Sequence, residues 1–350
     1  MFDLNPTSKA DAVCDGVLDA IGNTPLVRFD RYLENKDVDL LVKLESGNPG
    51  GSAKDRPAKN MIDVALAKRQ INPETTIIES SSGNMGIGLA QACRYHSMPF
   101  ICVVDPRAQQ QNLRMIQALG GTIEMVDKPI AGDFLKARLA RVCQLLEQIP
   151  NCFWPNQYAN SANPEAHFHG TIAEIDRALD GNYDALFVAT SSTGTIQGCQ
   201  EYLRMRGRRV KVYAVDACGS VLFGGVSGTR QIPGLGAGRV PPLARSTNVD
   251  RVIRVNDLQC VVGCRRAAAR EAVLVGGSAG GVLEAVRQVS SRLRHQRCVA
   301  VLHDSGSRYL DTVFNDDWVK EHLQCSTERL QHLIDQDQTA SQGFREEIQV

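Results

Sequence analysis

Short apolar runs alternate with amphipathic stretches along most of the chain. Residues 40–44, 75–78, 100–104, 122–126, 185–189, 210–215 and 298–302 are continuous enough in apolar character to predict strands. Helical patterns lie between most of them. That alternation predicts an α/β fold in which parallel sheets are covered by helices on both faces. Proline and polar residues cluster over 151–164, where the chain is expected to cross between two lobes. Residues 316–350 are polar and rich in Gln and charge, which predicts one or two helices followed by a loose tail. No internal repeat or low-complexity linker interrupts the pattern.

One helix carries an anomaly. After Asp133, the residues Leu135, Leu139, Val142, Leu146 and Ile149 form an apolar stripe with Leu145 at its edge. At about 100° per residue, Arg138 falls inside that arc, while Lys136 and Arg141 fall farther out and should be solvated. An inward arginine needs a partner. Two are open: a carboxylate across the domain interface, or an anionic ligand at the mouth of a site, held bidentately as guanidinium geometry favours.

Composition removes several classes of function. The 350 residues carry 39 basic and 39 acidic side chains, with no basic block that would suit a nucleic acid or a membrane surface. The first residues lack a basic segment followed by an apolar one, and no run approaches a membrane span, so the cytoplasm is expected. Eleven cysteines without CxxC spacing predict free thiols, Cys260 and Cys264 included. His167 and His169 are too close in sequence, and too far from any carboxylate cluster, to suggest a metal; none is expected.

The chemistry concentrates in four small-residue loops. Asn48-Pro49-Gly50-Gly51-Ser52-Ala53-Lys54-Asp55-Arg56 follows an apolar run and should present Lys54 in a tight exposed turn, with Asp55 as a helix N-cap and Pro57 in the first turn. Positive potential at a helix start lowers a lysine pKa and favours the neutral amine needed for a Schiff base. Glu79-Ser80-Ser81-Ser82-Gly83-Asn84-Met85-Gly86 and Thr190-Ser191-Ser192-Thr193-Gly194-Thr195 each stand between a strand and a helix, the arrangement of an anion site. Gly276-Gly277-Ser278-Ala279-Gly280-Gly281 is a fourth turn. Gly234-Leu235-Gly236-Ala237-Gly238 lacks the GxGxxG spacing and a preceding strand, which argues against a dinucleotide.

In their order and detail these segments resemble the cysteine synthase/cystathionine β-synthase family, the fold-type II pyridoxal-phosphate (PLP) enzymes, over about residues 16 to 315. The resemblance implies a tryptophan synthase β-like two-domain fold. It places a smaller mobile substrate-binding domain at 49–157, a larger PLP-phosphate-binding domain at 1–48 and 158–325, and a C-terminal helix or tail at 326–350. It also implies PLP linked to Lys54, with Asn84 on its 3′-oxygen. Its phosphate would lie in the loop Ser191, Ser192, Thr193, Gly194 and Thr195, and its pyridine nitrogen on Ser278. A hydroxyl at that nitrogen leaves the ring a weaker electron sink than an aspartate would, which suits β-elimination and replacement. Ser81, Ser82 and Gly83 would grip the substrate carboxylate with Gln157, and Tyr158 would stand at the pocket wall.

Three features depart from the sulfhydrylase pattern. Met85 replaces a threonine, serines and a threonine replace two glycines of the phosphate loop, and the segments 232–241 and 303–309 differ in detail. Together they resemble the N-(2-amino-2-carboxyethyl)-L-glutamate synthases of siderophore-linked 2,3-diaminopropionate biosynthesis. That likeness implies O-phospho-L-serine and L-glutamate as substrates, and the wider family implies a homodimer; with phosphoserine as substrate, the inward Arg138 becomes a candidate ligand for its phosphate. A sulfhydrylase, an eliminase releasing pyruvate and a non-catalytic binding module remain alternatives.

Overall fold

Largely buried central strands with more exposed edges form the two sheets of the protein, whose structure is a computed structural model describing residues 13–247 and 249–336 and the backbone of 347–348. In chain order the strands are β1 (Leu26–Arg28), β2 (Asp39–Leu44), β3 (Thr76–Ser80), β4 (Phe100–Val104), β5 (Thr122–Met125), β6 (Cys152–Phe153), β7 (Ala185–Ala189), β8 (Lys211–Ala217), β9 (Arg251–Val255), β10 (Arg297–Leu302) and β11 (Glu347–Ile348). The larger sheet has the order β1-β2-β10-β7-β8-β9-β11 and the smaller one β5-β4-β3-β6. All pairings are parallel except β1 with β2 and β11 with β9. These are the helix-covered parallel sheets that the alternation of apolar and amphipathic runs predicts.

Alternation along the central strands assigns each face its core. Phe187 and Ala300 join one cluster, whereas Leu186, Val188, Val299 and Val301 join the cluster on the opposite face. In the smaller sheet, Ile77, Phe100 and Cys102 pack to one side. Ile78 and Val103 meet Val142 and Leu145 of the helix Phe134–Gln148 on the other. The loops that follow β3, β7 and β10 open at the carboxyl ends of their strands, where ligands of open parallel sheets bind.

The seven predicted strands are all present, with β3 and β8 running two residues further than expected. The strands β1, β6, β9 and β11 were not anticipated, the last of them falling where a loose tail was expected. Helices Asp316–Leu323 and Thr327–Asp335 occupy the expected C-terminal helical region, and their Val319, Leu330 and Ile334 pack into the larger core. The expected loose tail after them, like the expected absence of a leader over the first twelve residues, lies largely outside the described residues. No helix among the described residues is long and apolar enough to cross a membrane.

Candidate active site

Four loops, each running into the N-terminus of a helix of twelve or thirteen residues, line one cleft. Every site residue singled out from the sequence lines it.

The lysine loop is buried, contrary to the expectation of an exposed turn. Asn48 is the reason: its Nδ2 donates to Glu45 Oε2 and to the Ser52 carbonyl, both at 3.0 Å, so the turn's polar groups are satisfied inside the protein. Asp55 is not the N-cap. Lys54 is, and Asp55 occupies the first helical position, where its carboxylate accepts from Gly50 N at 2.5 Å and Ser52 Oγ at 3.3 Å. Burial pushes the Asp55 carboxyl up to about 7. Lys54 is half-buried on the cleft wall, and loss of hydration, more than helix potential, lowers its pKa; Asp304 pulls the other way. Beneath it lies a buried ion network that anchors the helix Asp55–Ala67. Arg56 binds Glu45 and Glu174, both at 2.7 Å, and Lys43 binds Glu174 at 2.6 Å.

The second loop closes on itself. Ser81 Oγ accepts from Gly86 N at 3.0 Å, and nothing lies within 4 Å of a Cβ built on Gly83, so backbone there borders open cleft. Gln157 is held against this loop, its Nε2 donating to the Ser80 carbonyl at 3.4 Å and its backbone N to Glu79 Oε2 at 3.1 Å. Glu79 also accepts from Trp154 Nε1 at 3.0 Å; burial pushes its carboxyl up to about 7 against these donors. Asn84 Nδ2 donates to Asp304 Oδ2 at 2.8 Å, and its Oδ1 accepts from Arg308.

Arg138 is buried and faces the same cleft. Its carboxylate neighbour is Asp105, at the end of β4 in its own sheet and not across a domain interface. Arg107 already takes both Asp105 oxygens, at 2.9 and 3.1 Å. Arg138 Nε stands 3.2 Å from Asp105 Oδ2 without hydrogen-bond alignment, and Nη1 reaches Ser82 Oγ at 3.4 Å. The guanidinium is therefore tethered but not saturated. Lys136 is exposed, as its place on the helix predicts, while Arg141 is only half-buried because Glu124 pairs with it at 2.8 Å.

In the third loop, Thr193 is the N-cap of the helix Gly194–Met205 at φ +66°, a left-handed conformation unusual for a β-branched residue. A Cβ on Gly194 would sit 2.2 Å from Asn163 Oδ1, so only glycine fits there. His167 supports this loop from behind, its ring nitrogens 3.2 Å from Thr195 Oγ1 and 3.0 Å from Thr171 Oγ1, whereas His169 is exposed. The fourth turn packs on the loop after β10. A Cβ on Gly276 would meet Asp304 Oδ1 at 2.0 Å, and Ser278 lines the cleft at the start of the helix Gly277–Val289.

A flat aromatic phosphate fits this donor set. One half-buried lysine of lowered pKa, a backbone cradle in left-handed conformation and a serine hydroxyl at a helix start are arranged around a single cleft. The sequence matches the family described as "Pyridoxal-phosphate dependent enzyme" over residues 17–304. The chain belongs to this family. Pyridoxal phosphate is its cofactor, and it is an enzyme. The chain is 44% identical to the N-(2-amino-2-carboxyethyl)-L-glutamate synthase of Ralstonia nicotianae over 309 residues, covering 88% of this chain and 91% of that one. It is 41% identical to the synthase of the same name from Cupriavidus metallidurans over 312 residues, covering 88% and 92%. Among solved structures, O-ureido-L-serine synthase superposes with a TM-score of 0.81 at 30% identity, over 87% of this chain and 96% of that one. A hydrogen sulfide-producing enzyme from Fusobacterium nucleatum superposes at 0.80 and 30% identity, over 85% and 99%.

Sequence reasoning used 303–309 only as a difference from the sulfhydrylase pattern and gave no site role to His303, Asp304 and Tyr309, which follow β10 and line the same cleft. Their signal was position: they are the first residues beyond the carboxyl end of a central parallel strand.

Proposed function

We propose that this enzyme condenses O-phospho-L-serine with L-glutamate, releasing phosphate and N-(2-amino-2-carboxyethyl)-L-glutamate, a precursor of 2,3-diaminopropionate for siderophore assembly. The observation that carries the proposal is Arg138, an inward-facing guanidinium beside Ser82 whose acidic neighbour is already held by Arg107. Such a group suits a phosphate leaving group and has no use for an acetyl ester. The names of the two bacterial relatives support the same product.

Bound at Lys54, the cofactor supplies an electron sink for chemistry at the substrate Cα. The chain's own residues do the rest. Backbone N–H groups of Ser82 and Gly83, at the start of the helix Asn84–Tyr95, and the Gln157 amide hold the substrate carboxylate. Lys54, whose pKa burial lowers, takes the Cα proton. The Cβ–O bond breaks with its electron pair on phosphate, whose charge Arg138 receives. The glutamate nitrogen then forms a bond to Cβ and loses a proton, and Lys54 returns a proton to Cα. Asn84, Ser278 and the loop Ser191–Thr195 orient the cofactor, with Met85 and Tyr158 shaping the wall. We read the functional unit as a homodimer and its smaller sheet, within 49–157, as the part that closes on substrate.

Mass analysis of products from phosphoserine offered with glutamate, sulfide or no nucleophile tests the proposal. The glutamate adduct is expected; cysteine or pyruvate as the main product would replace this function with a sulfhydrylase or an eliminase. Arg138→Ala should reduce turnover of phosphoserine by at least about 100-fold relative to O-acetylserine, the scale of a lost charge-assisted pair. Lys54→Ala should remain folded, lose covalent attachment of the cofactor and turn over more slowly by several orders of magnitude.

A further inference from the structure

His303 follows directly on β10 and lies on the floor of the cleft. It is 8% exposed, and neither ring nitrogen has a partner in hydrogen-bond geometry. Two backbone bonds fix its place. Its carbonyl accepts from Ala53 N at 2.7 Å, beside Lys54, and the carbonyl of the next residue, Asp304, accepts from Gly276 N at 3.1 Å, in the turn that carries Ser278. The residue is therefore lodged between the lysine loop and the serine turn.

Burial, and then the charge of Lys54, lower the imidazole to about 3, with the Val301 carbonyl pulling only weakly the other way. The ring is neutral at any physiological pH and offers one N–H donor and one bare acceptor. The other buried histidine nearby, His167, is satisfied by two threonine hydroxyls. Buried polar groups in folded proteins are almost always paired, and an unpaired imidazole at the floor of a ligand cleft awaits the ligand. A dianionic phosphate would draw the ring toward its charged form. A neutral imidazole suits the aromatic ring of the cofactor better than its phosphate.

We propose that His303, held between the lysine loop and the serine turn, donates its imidazole N–H to the 3′-oxygen of bound pyridoxal phosphate, leaving the ring nitrogen to Ser278, and so fixes the ring's tilt without adding positive charge. Contact of this kind keeps the ring the weak electron sink that a serine at its nitrogen also implies. It requires only the cofactor, whichever leaving group and nucleophile the enzyme takes.

Histidine ring-nitrogen NMR on the wild-type protein, assigned through backbone connectivity, tests this with no activity measurement. The His303 nitrogens should show a neutral tautomer from pH 5 to 9, and one of them should shift when pyridoxal phosphate is added to the cofactor-free protein. A ring unmoved by the cofactor, or protonated at pH 7, overturns the proposal. In variants, His303→Ala should move the visible absorption maximum of the holoenzyme and weaken cofactor binding about 5-fold, the scale of one hydrogen bond, with His303→Gln restoring part of both. Unchanged spectra and affinity in a folded His303→Ala protein also overturn it. Failure to make the glutamate adduct would leave these readouts untouched.

Discussion

Thr193 shows how a single residue can mark a site. A β-branched side chain at φ +66° is strained by about 1–2 kcal/mol. Nothing in the surrounding core requires threonine there, since its hydroxyl bonds only the neighbouring Ser192 carbonyl at 2.7 Å. The left-handed turn aims successive backbone N–H groups into the cleft, which is what an anion needs. Thr193→Gly should relieve the strain while adding about 0.5–1 kcal/mol of backbone entropy to the unfolded chain, leaving stability unchanged or raised by up to about 1 kcal/mol. Urea titration of the cofactor-free protein checks this; a loss above 1 kcal/mol would show that the threonine side chain supports the loop.

At the scale of elements, Glu79 couples β3 to the segment after β6. Its carboxylate receives Trp154 Nε1, Gln157 N and Ser80 N, at 3.0, 3.1 and 2.9 Å. Because burial raises its folded pKa to about 7, the native state binds its proton more tightly than the unfolded chain does. Stability from this group is therefore full below the ordinary carboxyl range and falls as pH rises through about 4.5 to 7, then levels. Asp55, also raised to about 7, adds the same sign. Melting temperature should decline across that window, and Glu79→Gln should flatten part of the decline; a variant with the wild-type slope would remove Glu79 as a cause. Elements of this kind divide what was legible in the sequence from what was not. The buried central strands β4 and β7 matched their apolar runs residue for residue, because a strand covered on both faces must be apolar throughout. The pair Cys152–Phe153 is too short to have a period, and Arg251–Val255 begins and nearly ends on arginines that read as loop. Asn48-Pro49-Gly50-Gly51 signals a turn whether exposed or buried. Only the partners that Asn48 finds, far from any local pattern, decide which. Arg138 was legible as an inward charge from helical phase alone, but its neighbour Asp105 was not, because that contact crosses from one element to another.

On the scale of the whole molecule, four helix N-termini converge on one cleft, at Lys54, Gly83, Thr193 and Gly276. Each carries roughly half a positive charge, and Lys54 and Arg138 add to the field. The chain is neutral overall, with 39 charges of each sign, so the attraction for anions belongs to the cleft and not to the surface. Inorganic phosphate should therefore stabilise the cofactor-free protein saturably, and more than chloride at equal ionic strength. At about 100 times its dissociation constant the gain is about 2.7 kcal/mol. Thermal melts across a phosphate series check this, and identical curves in the two salts would rule out a concentrated anion field.

The place of β10 has a consequence for how the protein is born. This strand is synthesised after both β2 and β7, yet it lies between them. Until it leaves the ribosome, the two halves of the larger sheet stay apart, with long apolar edges open to other chains. Lys54 waits as well, because the residues that close the floor beneath it, His303 to Tyr309, are made after β10. A nascent chain stalled before residue 297 would hold Lys54, Asn84 and Ser278 without the strand that joins the larger sheet or the floor of the cleft, and would stay exposed to aggregation and to proteases.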